Sequence, residues 1–164
     1  MSLPFDESSV SEAAQPDTVS FTVYGQPTAK GSARAFVVRK KGETGAGHAV
    51  IVPDNQKNLR AWEQSIRQAA QRYAGGFFLG EGTPVEIEFW FYFTRPKSKK
   101  RGTPMVVKPD FDKLARAVAD AITAVLFKDD AQVTDAGIHK RYLDEGYQGP
   151  PHVKVVVRRS RHAT

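Results

Sequence analysis

One stretch constrains the fold more than any other: Pro84 to Thr94, PVEIEFWFYFT. It alternates strictly, as a strand does. Val85, Ile87, Phe89, Phe91 and Phe93 therefore share one face, and Glu86, Glu88, Trp90 and Tyr92 share the other. Three phenylalanines on one face cannot be left in water, so this strand predicts a sheet with a layer packed against it. The aromatic ladder reads most simply as a sheet face packed on helices. Trp90 and Tyr92 keep base stacking as a minor use.

The rest of the chain supplies that layer. Gln56 to Ala74 repeats Leu59, Trp62, Ile66, Ala69, Ala70 and Tyr73 at helical spacing, and Gly75-Gly76 ends the repeat. Asp110 to Leu126 does the same with Leu114, Ala117, Val118, Ala121, Ile122 and Val125. Further strands are expected at Phe21–Tyr24, at Gln132–Tyr142 and at His152–Arg159. Ala35–Val38 and Ala49–Val52 read as a hairpin with a long mobile tip over Lys40–Gly47. The order β-β-β-α-β-α-β-β predicts a single α/β (α+β) domain, a mixed sheet packed against two main helices. Residues 1–18 read as a flexible acidic tail and 19–160 as the folded domain.

Composition sets limits on function. The chain of 164 residues has no cysteine, which excludes disulfides, thiolate nucleophiles and cysteine-ligated zinc. Its net charge of +6 is a −4 tail on a +10 body, because residues 1–18 hold Asp6, Glu7, Glu12 and Asp17 with no Lys or Arg. Such a body permits a polyanionic partner. No apolar run reaches a membrane span, and no signal peptide is visible, so no membrane partner and a cytoplasmic location are expected. The four histidines, His48, His139, His152 and His162, are scattered and read as surface or packing residues.

The chemistry is concentrated in five aspartates. Asp110, Asp112 and Asp120 fall in the stretch KPDFDKLARAVAD, and Asp129 and Asp130 follow in KDDAQ. Asp110 and Asp112 converge if Asp110 is an extended N-cap and Asp112 lies in the first helical turn. Carboxylates gathered without cysteine or histidine suit a hard cation, Mg²⁺ or Mn²⁺. Such an ion activates water at a phosphodiester. Arg116, four residues after Asp112, can pair with that carboxylate or steady a phosphate oxygen. The plain alternative makes Asp110 only a cap and Asp112–Arg116–Asp120 a surface ladder. A helix of this length is about 24 Å long, so Asp130 past its far end sits far from Asp110 unless the helix is short or bent, and other residues or a second chain would otherwise come close to Asp110.

The pattern Lys108, Pro109, Asp110, Asp112, Leu114, Arg116, Ala117, Asp120, Ala121, Ile122, then Lys128, Asp129, Asp130, Gln132 resembles the RusA family of Holliday junction resolvases, endonucleases common in phages and prophages. FTVYGQPTAKGSAR at Phe21–Arg34 is similar to that family's first strand and loop, and the likeness runs over roughly residues 20 to 158. The resemblance implies a homodimeric, Mg²⁺-dependent endodeoxyribonuclease that nicks four-way junctions and other branched DNA in recombination and repair. It implies Asp110, Asp112 and Asp130 as catalytic metal ligands and Arg116 in the place of a catalytic-helix lysine. Lys30, Arg34, Lys97, Lys99, Lys100, Arg101 and Lys113 are the candidate DNA contacts. Lys113 stands where the family usually has Asn, and Arg116 cannot lose its proton as a lysine can. A non-catalytic, basic nucleic-acid binder is the alternative. A restriction-type nuclease is disfavoured, because no Asp followed by Glu-x-Lys on a strand is evident.

Overall fold

The computed structural model describes residues 16–31, 56–144 and 146–161, with 33–38 and 48–53 as backbone. Six strands and two helices appear in the expected order: β1 (Thr18–Tyr24), β2 (Ala33–Val38), β3 (His48–Pro53), α1 (Gln56–Tyr73), β4 (Val85–Phe93), α2 (Phe111–Ile122), β5 (Val133–Tyr142) and β6 (His152–Arg159). Four strands form a mixed sheet in the order β1-β6-β4-β5, and β2 pairs with β3 as a separate antiparallel hairpin. The expected hairpin tip at Lys40–Gly47 and the tail through residue 15 lie outside the described residues.

The β4 alternation organises the molecule. Phe89 aligns with Val155 of β6 and Ile138 of β5, and Val155 aligns with Phe21 of β1, so one apolar row crosses the sheet. Phe89, Phe91 and Val155 are fully buried in a core shared with Trp62, Ile66 and Ala70 of α1 and Leu114, Val118 and Ile122 of α2. Each large side chain removed from water this way contributes about 1.5–3 kcal/mol. β4 and β5 run parallel, which requires a crossover, and α2 is that crossover. The site-bearing helix is thus laid along the sheet, antiparallel to the strand that follows it.

Two expectations shift. α2 stops at Ile122, with Thr123 as its C-cap, rather than at Leu126. The apolar repeat continues past the helix because Leu126 and Phe127 are buried from a turn, where Ala124 adopts φ 64°. That turn is stitched to Leu79, whose N–H donates to Leu126 at 2.9 Å and whose carbonyl accepts from Lys128 at 3.1 Å. Tyr73 belongs to the expected α1 stripe yet is 54% exposed. It stacks on Phe21 with ring centroids 6.2 Å apart, because β1 is an edge strand and the end of α1 overhangs it.

The opposite face of the sheet carries the polar half of the alternation. Arg158 bonds Glu86 at 2.5 Å, His139 lies flat on Trp90 with centroids 3.7 Å apart, and His152 stacks on Tyr92 at 4.7 Å. Trp90 and Tyr92 are half-buried and already engaged by these rings. His139 and His152 serve as packing residues, as expected. No helix among the described residues is long and apolar enough to cross a membrane.

Candidate active site

Asp110 is the N-cap of α2, in the extended conformation (φ −69°, ψ 137°) that the sequence requires for convergence with Asp112. Its side chain makes no capping hydrogen bond and instead faces the Lys113 ammonium at 3.3 Å. Asp112 sits in the first turn and is exposed. Carboxylates are favoured at this end of a helix by the partial positive charge of its free amides. The approach to the helix is clamped from the sheet: Lys140 of β5 donates to the carbonyl oxygens of Val107 at 2.5 Å and Pro109 at 2.9 Å. Sequence reasoning missed Lys140. Its signal was a lysine alternating with Ile138 and Tyr142 on the side of β5 that meets the helices.

Further along α2 the aspartates separate by role. Asp120 is bound by the Lys30 ammonium, which also lies 4.0 Å from Glu63 of α1. The Lys30 backbone N–H donates to the Lys113 carbonyl at 3.1 Å. Lys30 therefore straps the loop after β1 onto both helices, with its ammonium paired to acids of the same chain. Arg116 is exposed, and neither it nor Asp112 has an ion-pair partner among the described residues. The surface ladder Asp112–Arg116–Asp120 does not form.

Asp129 and Asp130 stand at the entry to β5. Asp129 caps a 3-10 turn over Asp130–Gln132, accepting from the Ala131 N–H at 2.8 Å, while its own N–H donates to the Gln132 side chain at 2.8 Å. The Ala131 N–H, and secondarily the Asp130 side chain, hold the Asp129 carboxyl below its ordinary value of 3.8. Gln132 pins the turn by donating to the carbonyls of Gly80 at 2.6 Å and Thr83 at 3.0 Å. Asp130 is thereby placed, exposed, at the start of β5, whereas Lys140 near that strand's end is what touches Pro109. The two ends of α2 are about 18 Å apart at 1.5 Å per residue. Within one chain, Asp110 and Asp112 stand at the start of α2, and Asp130 follows its far end. No three Asp, Glu or His side chains among the described residues make a metal site. The donors fit a hard divalent cation in kind, and the described residues of one chain bring too few of them to one place.

The remaining candidate cations lie on other segments. Lys97, Lys99, Lys100 and Arg101 are exposed on the connection between β4 and α2. This segment is folded into turns, with Lys99 N–H donating to Pro96 at 3.0 Å and Thr103 N–H to Lys100 at 3.2 Å. Arg34 lies on β2 opposite Val52. A cleft of about 750 Å³ opens between the Gln26–Gly31 loop, α1 and the segment Lys108–Asp110, with Lys113 on its wall.

Comparison with known proteins gives the family. The family described as Endodeoxyribonuclease RusA matches residues 25–158. Uncharacterized protein YqaN of Bacillus subtilis (strain 168) is 29% identical over 153 residues, which is 87% of this chain and 96% of that protein.

Proposed function

From the premise that the chain belongs to the RusA endodeoxyribonuclease family, we propose that it is a metal-dependent resolvase that nicks four-way junctions and related branched DNA. The observation that carries this is the state of α2: Asp112 and Arg116 stand exposed one turn apart, without ion-pair partners among the described residues, while Asp120 is taken by Lys30. A merely structural ladder would have paired them.

Asp110 and Asp112 of one copy and Asp130 of a second copy would hold Mg²⁺ or Mn²⁺. The separation of Asp110 and Asp130 along α2 is the reason to invoke two chains. A bound ion of this kind supplies an activated water and neutralises charge at the phosphodiester. Arg116, always protonated, balances charge that builds on the phosphate oxygens. A two-fold dimer then carries two such sites, which suits paired nicks across a symmetric junction. Lys97, Lys99, Lys100 and Arg101 serve as backbone contacts whose number sets the salt dependence of binding. The proposed setting is recombination and repair of branched DNA in the cytoplasm of a bacterial cell.

The test is cleavage of a synthetic four-way junction with and without Mg²⁺, comparing the wild-type chain with Asp110→Asn and Asp112→Asn. Metal-dependent nicking lost in both variants is expected. Cutting in EDTA, or full activity in either variant, overturns the reading. Salt-sensitive binding with no cutting in any metal identifies a non-catalytic binder.

A further inference from the structure

A second cleft, of about 540 Å³, lies where the connection after β4 folds against the end of β5. It brings together Arg95 and Arg101 from one segment and Lys140 and Arg141 from another, some forty residues apart in sequence, with Asp144 as the acid on its wall. Among the described residues its lining includes four cationic residues and one carboxylate, with the Lys140 ammonium turned to the Val107 and Pro109 carbonyls. Concave, low-dielectric walls of one sign concentrate the field and raise the local concentration of the opposite charge.

The cleft is built rather than incidental. Leu143 N–H donates to the Phe93 carbonyl at 2.8 Å, tying its two segments together. The Arg95 guanidinium bonds the Lys99 carbonyl within its own loop. Arg141 is exposed, yet its guanidinium carbon is held 5.7 Å from the Trp90 ring centroid, and one of its nitrogens donates to the Lys140 carbonyl at 3.0 Å. A guanidinium stacked in this way loses less freedom on binding, and its planar fork matches phosphate oxygens. Trp90 therefore acquires a role that the alternation of β4 did not suggest: backed by His139, it is the platform for Arg141.

Position selects the occupant. Lys140 lines this cleft and also holds the Val107 and Pro109 carbonyls that lead into Asp110. The cleft and the segment leading into Asp110 are thus joined through one residue, Lys140. We infer that this cleft is a phosphodiester-binding subsite, with Arg141 as its principal contact, which seats the backbone of the DNA strand flanking the one to be cut. The inference deepens the nuclease reading and rests on it for the identity of the polyanion. An acidic protein segment is the competing occupant, and nothing next to Asp110 calls for one.

The experiment is equilibrium binding of a fluorescein-labelled four-way junction by fluorescence anisotropy, in EDTA, across a series of salt concentrations. Arg141→Gln is expected to weaken binding about 5–10-fold near 100 mM salt and to lower the slope of log affinity against log salt by about one. Arg141→Lys should keep the slope and lose only part of the affinity. Arg67→Gln, on the outer face of α1 beside a separate shallow hollow, should change neither. The thermal midpoint of each variant shows that it is folded. An unchanged slope in Arg141→Gln overturns the inference, as does an acidic decapeptide that competes with the junction at equal concentration. Because no metal is present, failure of this subsite is separable from failure of the nuclease reading. A chain that cuts junctions while Arg141→Gln binds like wild type sinks the subsite alone. A chain that shows the slope change and never cuts sinks the nuclease alone.

Discussion

Removing the ammonium of Lys140 tests how the catalytic segment is held. In Lys140→Met the stem stays and the two bonds to the Val107 and Pro109 carbonyls, at 2.5 and 2.9 Å, are lost. A net charge-assisted hydrogen bond contributes about 1.5–3 kcal/mol. Lys140 is half-buried, so solvent competes for both carbonyls once they are released, and the lower part of the range applies, about 2–3 kcal/mol in all. In a domain of this size each kcal/mol moves the thermal midpoint by about 2–4 °C, so a fall of about 5–10 °C is expected by circular dichroism. Stability alone does not establish a positioning role, so the second readout is the Mg²⁺ concentration for half-maximal junction cleavage. Loosening the support of a ligating carboxylate typically costs 10–100-fold in metal affinity or activity, and a rise of about tenfold is expected. Lys140→Arg, which keeps charge and donors, should recover most of both effects. A Lys140→Met chain that melts with wild type and shows the same Mg²⁺ midpoint would refute the reasoning, as would an Arg variant no better than Met.

If two copies share each metal site, Asp110→Asn and Asp130→Asn should each be inactive alone. Mixed in equal amounts and allowed to exchange, they should recover about a quarter of wild-type nicking, since half the dimers then hold one intact site. No recovery after demonstrated exchange means that each site is built within one chain. Phe89→Ala, at a fully buried position in the apolar row, should cost about 3–5 kcal/mol in urea unfolding. A loss under about 1 kcal/mol would mean that the sheet face packs differently. Gln132→Ala removes the donor shared by the Gly80 and Thr83 carbonyls and should cost about 1–3 kcal/mol, read from the denaturant midpoint. It should also slow nicking through the turn that carries Asp130, and a variant with both properties unchanged refutes that role for the bridge.

Periodicity made much of this molecule legible without coordinates. The β4 alternation names the buried phenylalanines, because a strand's period of two allows no other assignment of faces. The order of elements follows from stripes of apolar residues ended by Gly75-Gly76, which sit at φ 54° and 84°. The extended N-cap at Asp110 was readable for a similar reason: two aspartates separated by one residue can meet only if the first lies outside the helix.

Other features depend on contacts between segments distant in sequence, which no local pattern encodes. The helix was expected to run to Leu126 because burial continues there, and burial does not distinguish a helix from a turn packed on Leu79. Lys30 is a candidate DNA contact by sequence, and only the fold sets its ammonium beside Asp120 and Glu63. The clamp by Lys140 and the arginine cleft join residues 95–107 to residues 140–144, and only the parallel pairing of β4 with β5 places them together. Sequence determined which carboxylates this chain has and that two of them flank a helix start. The tertiary structure decided that Asp130 stands at the other end of that helix, because a strand following a crossover helix begins where the helix ends.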